Sequence, residues 1–271
     1  MSIPVQESSI TVYGDPYKYD PAKVMDFENT VANTIIRGDI APKKTGAIVL
    51  RRIGRSHGDV EIYPRYEQGL NAEATFKLKT VNGRTVGKDI TKIIIWFTPQ
   101  QWKITPAQSR LTIPTDLRAF QPGMLRDEVL FHELVHSGRL LDGFWPQKSD
   151  KLKPDPEHPT MYSNEESAAY EDIEEFATIL VSNIYLSEKG QKVFRASHGG
   201  DGYPFILDQA QSSSEGFLAK PSNFALVKMF CQTDPIAPEL AAIDTPFNPV
   251  KAYFSKNPQD YVTNASLQRP S

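Results

Sequence analysis

The chain has one cysteine, Cys231, in 271 residues. A single thiol excludes an internal disulfide and every zinc site built on cysteines, so the chain is expected to fold where thiols stay reduced, with Cys231 packed as a small hydrophobe. Charge surplus is also missing. The 30 Lys and Arg stand against 33 Asp and Glu, a formal −3, and no run of like charge marks a tail. This excludes the basic footprint of a nucleic-acid binder. No run of about 18 apolar residues occurs, so no membrane span is expected. The start, Met1-Ser2-Ile3-Pro4-Val5-Gln6-Glu7, lacks a basic region followed by an apolar core, so no signal peptide is expected. Such a chain belongs in the cytoplasm, or leaves the cell by an export system that uses no cleaved apolar signal.

What is present fits a globular protein: 39% hydrophobic residues can build a real core. We expect a flexible lead over 1–19, one compact domain over 20–262 and a flexible tail over 263–271. Within the domain, Leu130-Phe131-His132-Glu133-Leu134-Val135-His136 reads as H-E-x-x-H on a helix. Four residues are about one helical turn, which stacks His132 and His136 on one face where both can hold one zinc. Glu133 can then reach a water on the metal without ligating it, the position of a general base. A shuffled chain of this composition would contain the motif only about 0.005 times, so chance does not explain it. Val129, Leu130, Phe131, Leu134 and Val135 surround it with apolar side chains and predict a buried helix.

Upstream, Asp20 with Pro21 opens a helix whose stripe is Val24, Phe27, Val31 and Ile35, ending at Gly38. The runs 47–53, 60–66, 74–81 and 92–98 read as strands of a small, mostly antiparallel sheet, with Asn82-Gly83 as a turn. Ile93 to Phe97 is apolar enough to be covered on both faces. A sheet edge near the metal helix would let an extended peptide add as one more strand. Gly138 or Gly143 closes the metal helix, and the proline-containing stretch 144–162 reads as a long loop. His158, in that loop, reads as a solvated residue.

Ser163 with Glu166 forms a capping box for a second long helix through Glu188, stopped by Gly190. A catalytic zinc takes three protein ligands and an open position, so the third ligand is sought among Glu171, Asp172, Glu174 and Glu175. With Ile173 at zero on a helical wheel, Glu174 falls at the border of the buried arc and Glu175 faces away, which favours Glu174. Further on, Gly- and Ser-rich loops carry His198 and Tyr203, candidates for stabilising an oxyanion because each can donate a hydrogen bond. Helical patterns return at 221–232 and near 249–255. The fold class is therefore α+β, with a helical C-terminal part.

The stretch from His132 to Gly143, H-E-L-V-H-S-G-R-L-L-D-G, resembles the H-E-L-x-H-x-G stretch of the clostridial neurotoxin light chains. Glu174-Glu175-Phe176-Ala177-Thr178 resembles their E-E-L-R-T stretch. The likeness extends to related metalloproteases that pathogens inject into host cells. It implies a zincin-like fold, zinc on His132, His136 and Glu174, catalysis by Glu133, and a supporting role for Glu175. The chain departs from the metzincin pattern at Arg139 and Asp142, although Asp142 remains a possible ligand. Glu171 to Glu175 mimics the thermolysin-like E-x-x-x-D, which makes Glu171 the runner-up ligand. The expected activity is a zinc-dependent endopeptidase acting on a protein or peptide, in the manner of an effector or toxin acting on another cell. The alternatives are a binding protein pinned by zinc, or a zinc hydrolase of a non-peptide substrate. Peptide deformylases share H-E-x-x-H but take an upstream Cys, and Cys231 lies downstream.

Overall fold

The structure, a computed structural model, describes residues 2–5, 9–66, 72–81, 84–99, 123, 125–144, 170, 173–197 and 206–267, with backbone only for 76–89 and 265–267. The protein is α+β, with a small mixed sheet of five strands and a helical C-terminal part. Two compact units divide it, residues 1–103 with 123–145, and residues 104–122 with 146–271.

The first unit holds the sheet. Its strands are β1 (Ser2–Val5), β2 (Ile10–Tyr13), β3 (Asp59–Pro64), β4 (Ala72–Val81) and β5 (Arg84–Phe97), in the order β1-β2-β3-β5-β4. The pairs β1/β2 and β4/β5 are antiparallel, whereas β2/β3 and β3/β5 are parallel. The sheet is thus mixed and not mostly antiparallel. The reason lies in residues 1–19, which contribute β1 and β2 where a flexible lead was expected. With β2 in place, residues 14–58 become a crossover that returns β3 parallel to it, as helical crossovers do.

Register explains the core. Ile10, Val60 and Ile93 are neighbours across three strands, as are Val12, Ile62 and Ile95, and all six are at most 1% exposed. Burying each such side chain stabilises the fold by about 1.5–3 kcal/mol. Period-two alternation turns Tyr13, Tyr63 and Trp96 to the other face. There Tyr13 stacks on Tyr63 at 5.0 Å, Tyr63 meets Trp96 at 5.4 Å, and Lys92 pairs with Glu61 at 2.5 Å. Ile93 to Phe97 is therefore sealed on one face and half-covered on the other.

The helix expected from Asp20 forms as α1 (Pro21–Glu28), capped by the Asp20 carboxylate accepting from the Ala22 and Lys23 amides. It continues past Gly38 as a π-helical segment, Asn29–Ile40. Its buried positions are Val31, Ala32, Ile35, Ile36 and Ile40, which continue the face begun by Val24 and Phe27. The run 47–53, expected as a strand, is part of α2 (Lys44–Arg55). Its β-branched content misled, because the buried set Thr45, Ile48, Val49, Arg52 and Ile53 follows a period near 3.6 and not two.

The metal-motif helix is α3 (Arg126–Leu141), which packs on β4, β5, α2 and the π segment. The second unit contains α4 (Ile173–Glu188), α5 (Ser214–Ala219), α6 (Pro221–Thr233), α7 (Ala237–Ala241), α8 (Pro249–Lys256) and α9 (Pro258–Leu267). Expected helices at 221–232 and 249–255 correspond to α6 and α8, while α9 runs into the stretch expected as a tail. Cys231 is fully buried, and burial with nearby Asp260 and Asp234 pushes its thiol well above the usual range. It acts as a small hydrophobe. No described helix is long and apolar enough to cross a membrane. The start expected at Ser163, the Asn82-Gly83 turn and His158 lie outside the described residues.

Gly46 shows how tightly α2 meets the π segment. A Cβ there would lie 2.0 Å from the Ile40 carbonyl oxygen, a backbone atom that cannot step aside. Alanine gains about 1 kcal/mol of helix propensity, but overpacking costs about 1–3 kcal/mol or more, so the clash wins. Gly46→Ala should lower the urea midpoint clearly. Gly138→Ala meets only side chains, Arg52 at 3.2 Å and Ile53 at 3.5 Å, and should shift it far less. Equal midpoints for the two variants would contradict this packing.

Candidate metal centre

Helix α3 is held at both ends. Asp127 and Glu128 in its first turn suit the positive end of the helix dipole. The Glu128 carboxylate also accepts from the Gly123 amide, doing from inside the helix what a capping side chain would do from outside. At the far end the Phe144 amide bonds to Arg139 O and the Gly143 amide to Leu140 O, with Gly143 at φ +86°. This is the six-to-one and five-to-two pattern that a left-handed glycine permits, so Gly143 closes the helix. Asp142 accepts from Arg52 Nε at 2.6 Å, and the Arg52 and Arg139 guanidiniums lie 5.5 and 4.6 Å from the Phe144 ring. The Asp142 carboxylate is thus engaged in an ion pair that ties α2 to the end of α3.

Between these ends the helix is buried on nearly every side. His132 is 2% exposed, while Glu133 and His136, three residues apart and so on one face, are half-buried. The Nε2 atoms of His132 and His136 are 3.1 Å apart, with the rings edge to face at 84°. That spacing suits one imidazole donating to the other. It equally suits one zinc, since two nitrogens at about 2.05 Å in a tetrahedral shell are about 3.3 Å apart. The Ser137 hydroxyl donates to Glu133 O at 2.8 Å, which ties the motif's own turn.

Helix α4 opens with Glu174 and Glu175, both 6% exposed. Thr178 Oγ1 donates to Glu174 Oε1 at 3.3 Å, so one carboxylate oxygen of Glu174 is held along its own helix. Every residue from Glu174 to Ser187 is buried. A helix covered all round has no border between a wet and a dry arc, so the wheel that favoured Glu174 over Glu175 loses its basis. Among the described residues, His132, His136 and Glu175 are a group that could hold a metal, each offering one ligand atom. Two imidazoles with one carboxylate are a donor set that zinc uses in catalytic sites. Glu175 is the member that sequence reasoning placed in a supporting role. The signal that could have raised it is the adjacent acidic pair at a helix start. Glu171, His198 and Tyr203 lie outside the described residues.

No protein-family model, curated protein or solved structure matches the chain.

The third ligand can be ranked directly. Replacing an anionic ligand oxygen by a neutral amide removes a metal bond, whereas losing a supporting carboxylate typically costs about 10- to 100-fold. Titration against a competing chelator should therefore find Glu175→Gln the most damaged in zinc affinity, with Glu174→Gln losing about 10- to 100-fold. The reverse order would restore Glu174 as the ligand.

Proposed function

We propose that the protein is a zinc-dependent endopeptidase, with His132, His136 and Glu175 as metal ligands and Glu133 as general base. The observation that carries this reading is the H-E-x-x-H turn itself, its two Nε2 atoms 3.1 Å apart and its half-buried residues Glu133 and His136 on one face. A zinc that only pins helices together is enclosed by four protein ligands, whereas a working zinc leaves one position open. The partial exposure of Glu133 and His136 supports the second case. Zinc would supply Lewis-acid polarisation of a water and of the scissile carbonyl. Glu133, beside but not among the metal ligands, would serve as the base that accepts a proton from the attacking water and returns it to the departing amide nitrogen. Glu174, held by Thr178, is the neighbouring carboxylate that steadies the first turn of α4.

A peptide substrate is favoured by the sheet. Strand β4 is at the sheet edge, pairs only with β5 among the described strands, and packs with β5 against α3. An extended peptide adding to that edge would lie beside the metal helix, with main-chain bonds giving affinity for any sequence. The likeness of 132–143 and 174–178 to neurotoxin light chains adds support for an effector that cuts proteins of another cell.

Glu133→Gln keeps the shape and hydrogen-bonding capacity of the side chain but cannot accept a proton. It should retain zinc while cleavage of a randomised peptide library, read by mass spectrometry, falls by at least about 1000-fold. Cleavage at the wild-type rate would remove Glu133 from the chemistry.

A further inference from the structure

The face of the sheet turned away from the core stays open, and its side chains are not those of a plain solvent surface. Register places Ser2, Tyr13, Tyr63, Trp96 and Glu73 in one row across the five strands. The three aromatic rings at its centre are only half-buried, as are Thr11, Glu61, Ile94 and Thr75 in the next row. Both oxygens of Glu61 are held, one by Lys92 Nζ at 2.5 Å and the other by the Tyr63 hydroxyl at 3.2 Å. Burial, then the neighbouring Glu61 carboxylate, pushes the Tyr63 phenol up to about 12, so it stays a donor. Arg65 pairs with Glu73 at the end of the row. Asp59 lies on this face by alternation with Glu61, and Asp15 is near enough to add to the rise at Tyr63. This face of the sheet therefore carries four carboxylates against two cations.

The turn that follows β2 adds to this face. Its Gly14 amide donates to the buried carboxylate of Glu28 at 3.1 Å, the Asp15 carbonyl accepts from the Lys18 and Tyr19 amides, and Asp15 itself has φ +51°. A buried carboxylate and a left-handed non-glycine residue are costly ways to hold a turn, and such strain gathers at functional places. What the turn holds out is Tyr17, fully exposed, while Tyr19 packs on Tyr66. We propose that the aromatic face of β2, β3 and β5, with Tyr17 beside it, docks an extended, arginine-bearing segment of a protein partner. Guanidinium planes stack on tyrosine and tryptophan rings and fork onto carboxylates, so they answer both halves of this surface. Tyrosine and tryptophan also carry much of the binding energy at protein contacts. The excess of acid turns away phosphate backbones and anionic bilayers. Four strand spacings make the face about 19 Å wide, and Asp59 to Arg65 makes it about 20 Å long, hence about 400 Å². That is about half of what each partner buries in a stable protein contact, so the face fits a segment rather than a second copy of the chain. The site is on the sheet and not on α3, so it does not rest on the zinc reading.

The test is fluorescence anisotropy of labelled peptides of about eight residues, long enough to span the face, alternating Arg-Thr, Lys-Thr or Glu-Thr. The full chain carries Glu133→Gln, so that cleavage is not mistaken for binding. The arginine peptide should bind, the lysine peptide about threefold more weakly, and the glutamate peptide not at all. Tyr17→Ala removes a fully exposed side chain and should weaken binding about tenfold, and Trp96→Ala about 30-fold. Asp15→Asn with Asp59→Asn should lose about tenfold together, at about threefold per exposed charge, and asparagine tolerates the positive φ of the turn. Circular dichroism checks each fold. Should Trp96→Ala misfold, Tyr17→Ala and the asparagine pair carry the test. In nitrogen-15 spectra the arginine peptide should move the amides of β2, β3, β5 and residues 14–19. Equal binding of the glutamate peptide, undiminished binding by Tyr17→Ala and the asparagine pair, amide shifts confined to α3, or tighter binding of cellohexaose than of the arginine peptide would each overturn the proposal. None of these readings uses peptidase activity or zinc affinity, so the two proposals stand or fall separately.

Discussion

The constraint on which the site depends is the burial of α3. A helix covered on nearly every side must match each polar side chain to a partner, because an unmatched buried polar group costs about 1–3 kcal/mol and a buried charge more. The ends of α3 meet this locally, with Glu128 against the Gly123 amide and Asp142 against Arg52. In the middle, His132 and His136 turn their Nε2 atoms to within 3.1 Å of each other. Two imidazoles can share one proton at that distance, or they can share one cation. The helix thus holds two basic nitrogens together, one ring fully buried and the other half-buried.

Much of this was legible in the sequence, for particular reasons. The motif names its own geometry, since four residues of spacing on any helix put the two histidines on one face. Asp20 with Pro21 and the stripe Val24 to Ile35 were also readable, because they couple a cap and a period to a burial pattern that the structure keeps, whereas the apolar run before Phe97 is a strand as expected but is sealed on one face only. The helical class of the C-terminal part followed from composition and period around 221–232 and 249–255.

What was not legible falls where local signals are ambiguous or where tertiary context decides. Four-residue strands such as β1 and β2 carry too few positions for a period to stand out from a polar lead. Missing β2 hid the crossover, and with it both parallel pairings. Residues 47–53 combine β-branched side chains with a helical period, and it is the helical period that the structure buries, with Gly46 close against Ile40.

The choice between Glu174 and Glu175 is of a different kind. Periodicity separates neighbours on a helix only when one arc is wet, and α4 has no wet arc between Glu174 and Ser187. Propensity is silent too, for both are glutamates in a first turn that favours acid. What separates them is that Glu174 accepts from Thr178 one turn along its own helix, whereas Glu175 is the one grouped with His132 and His136 as a set that could hold a metal. Paired acids at the start of a buried helix divide the work in this way because two carboxylates cannot both be desolvated without separate compensation. One takes its donor from the helix. The other belongs to the set that we propose holds zinc.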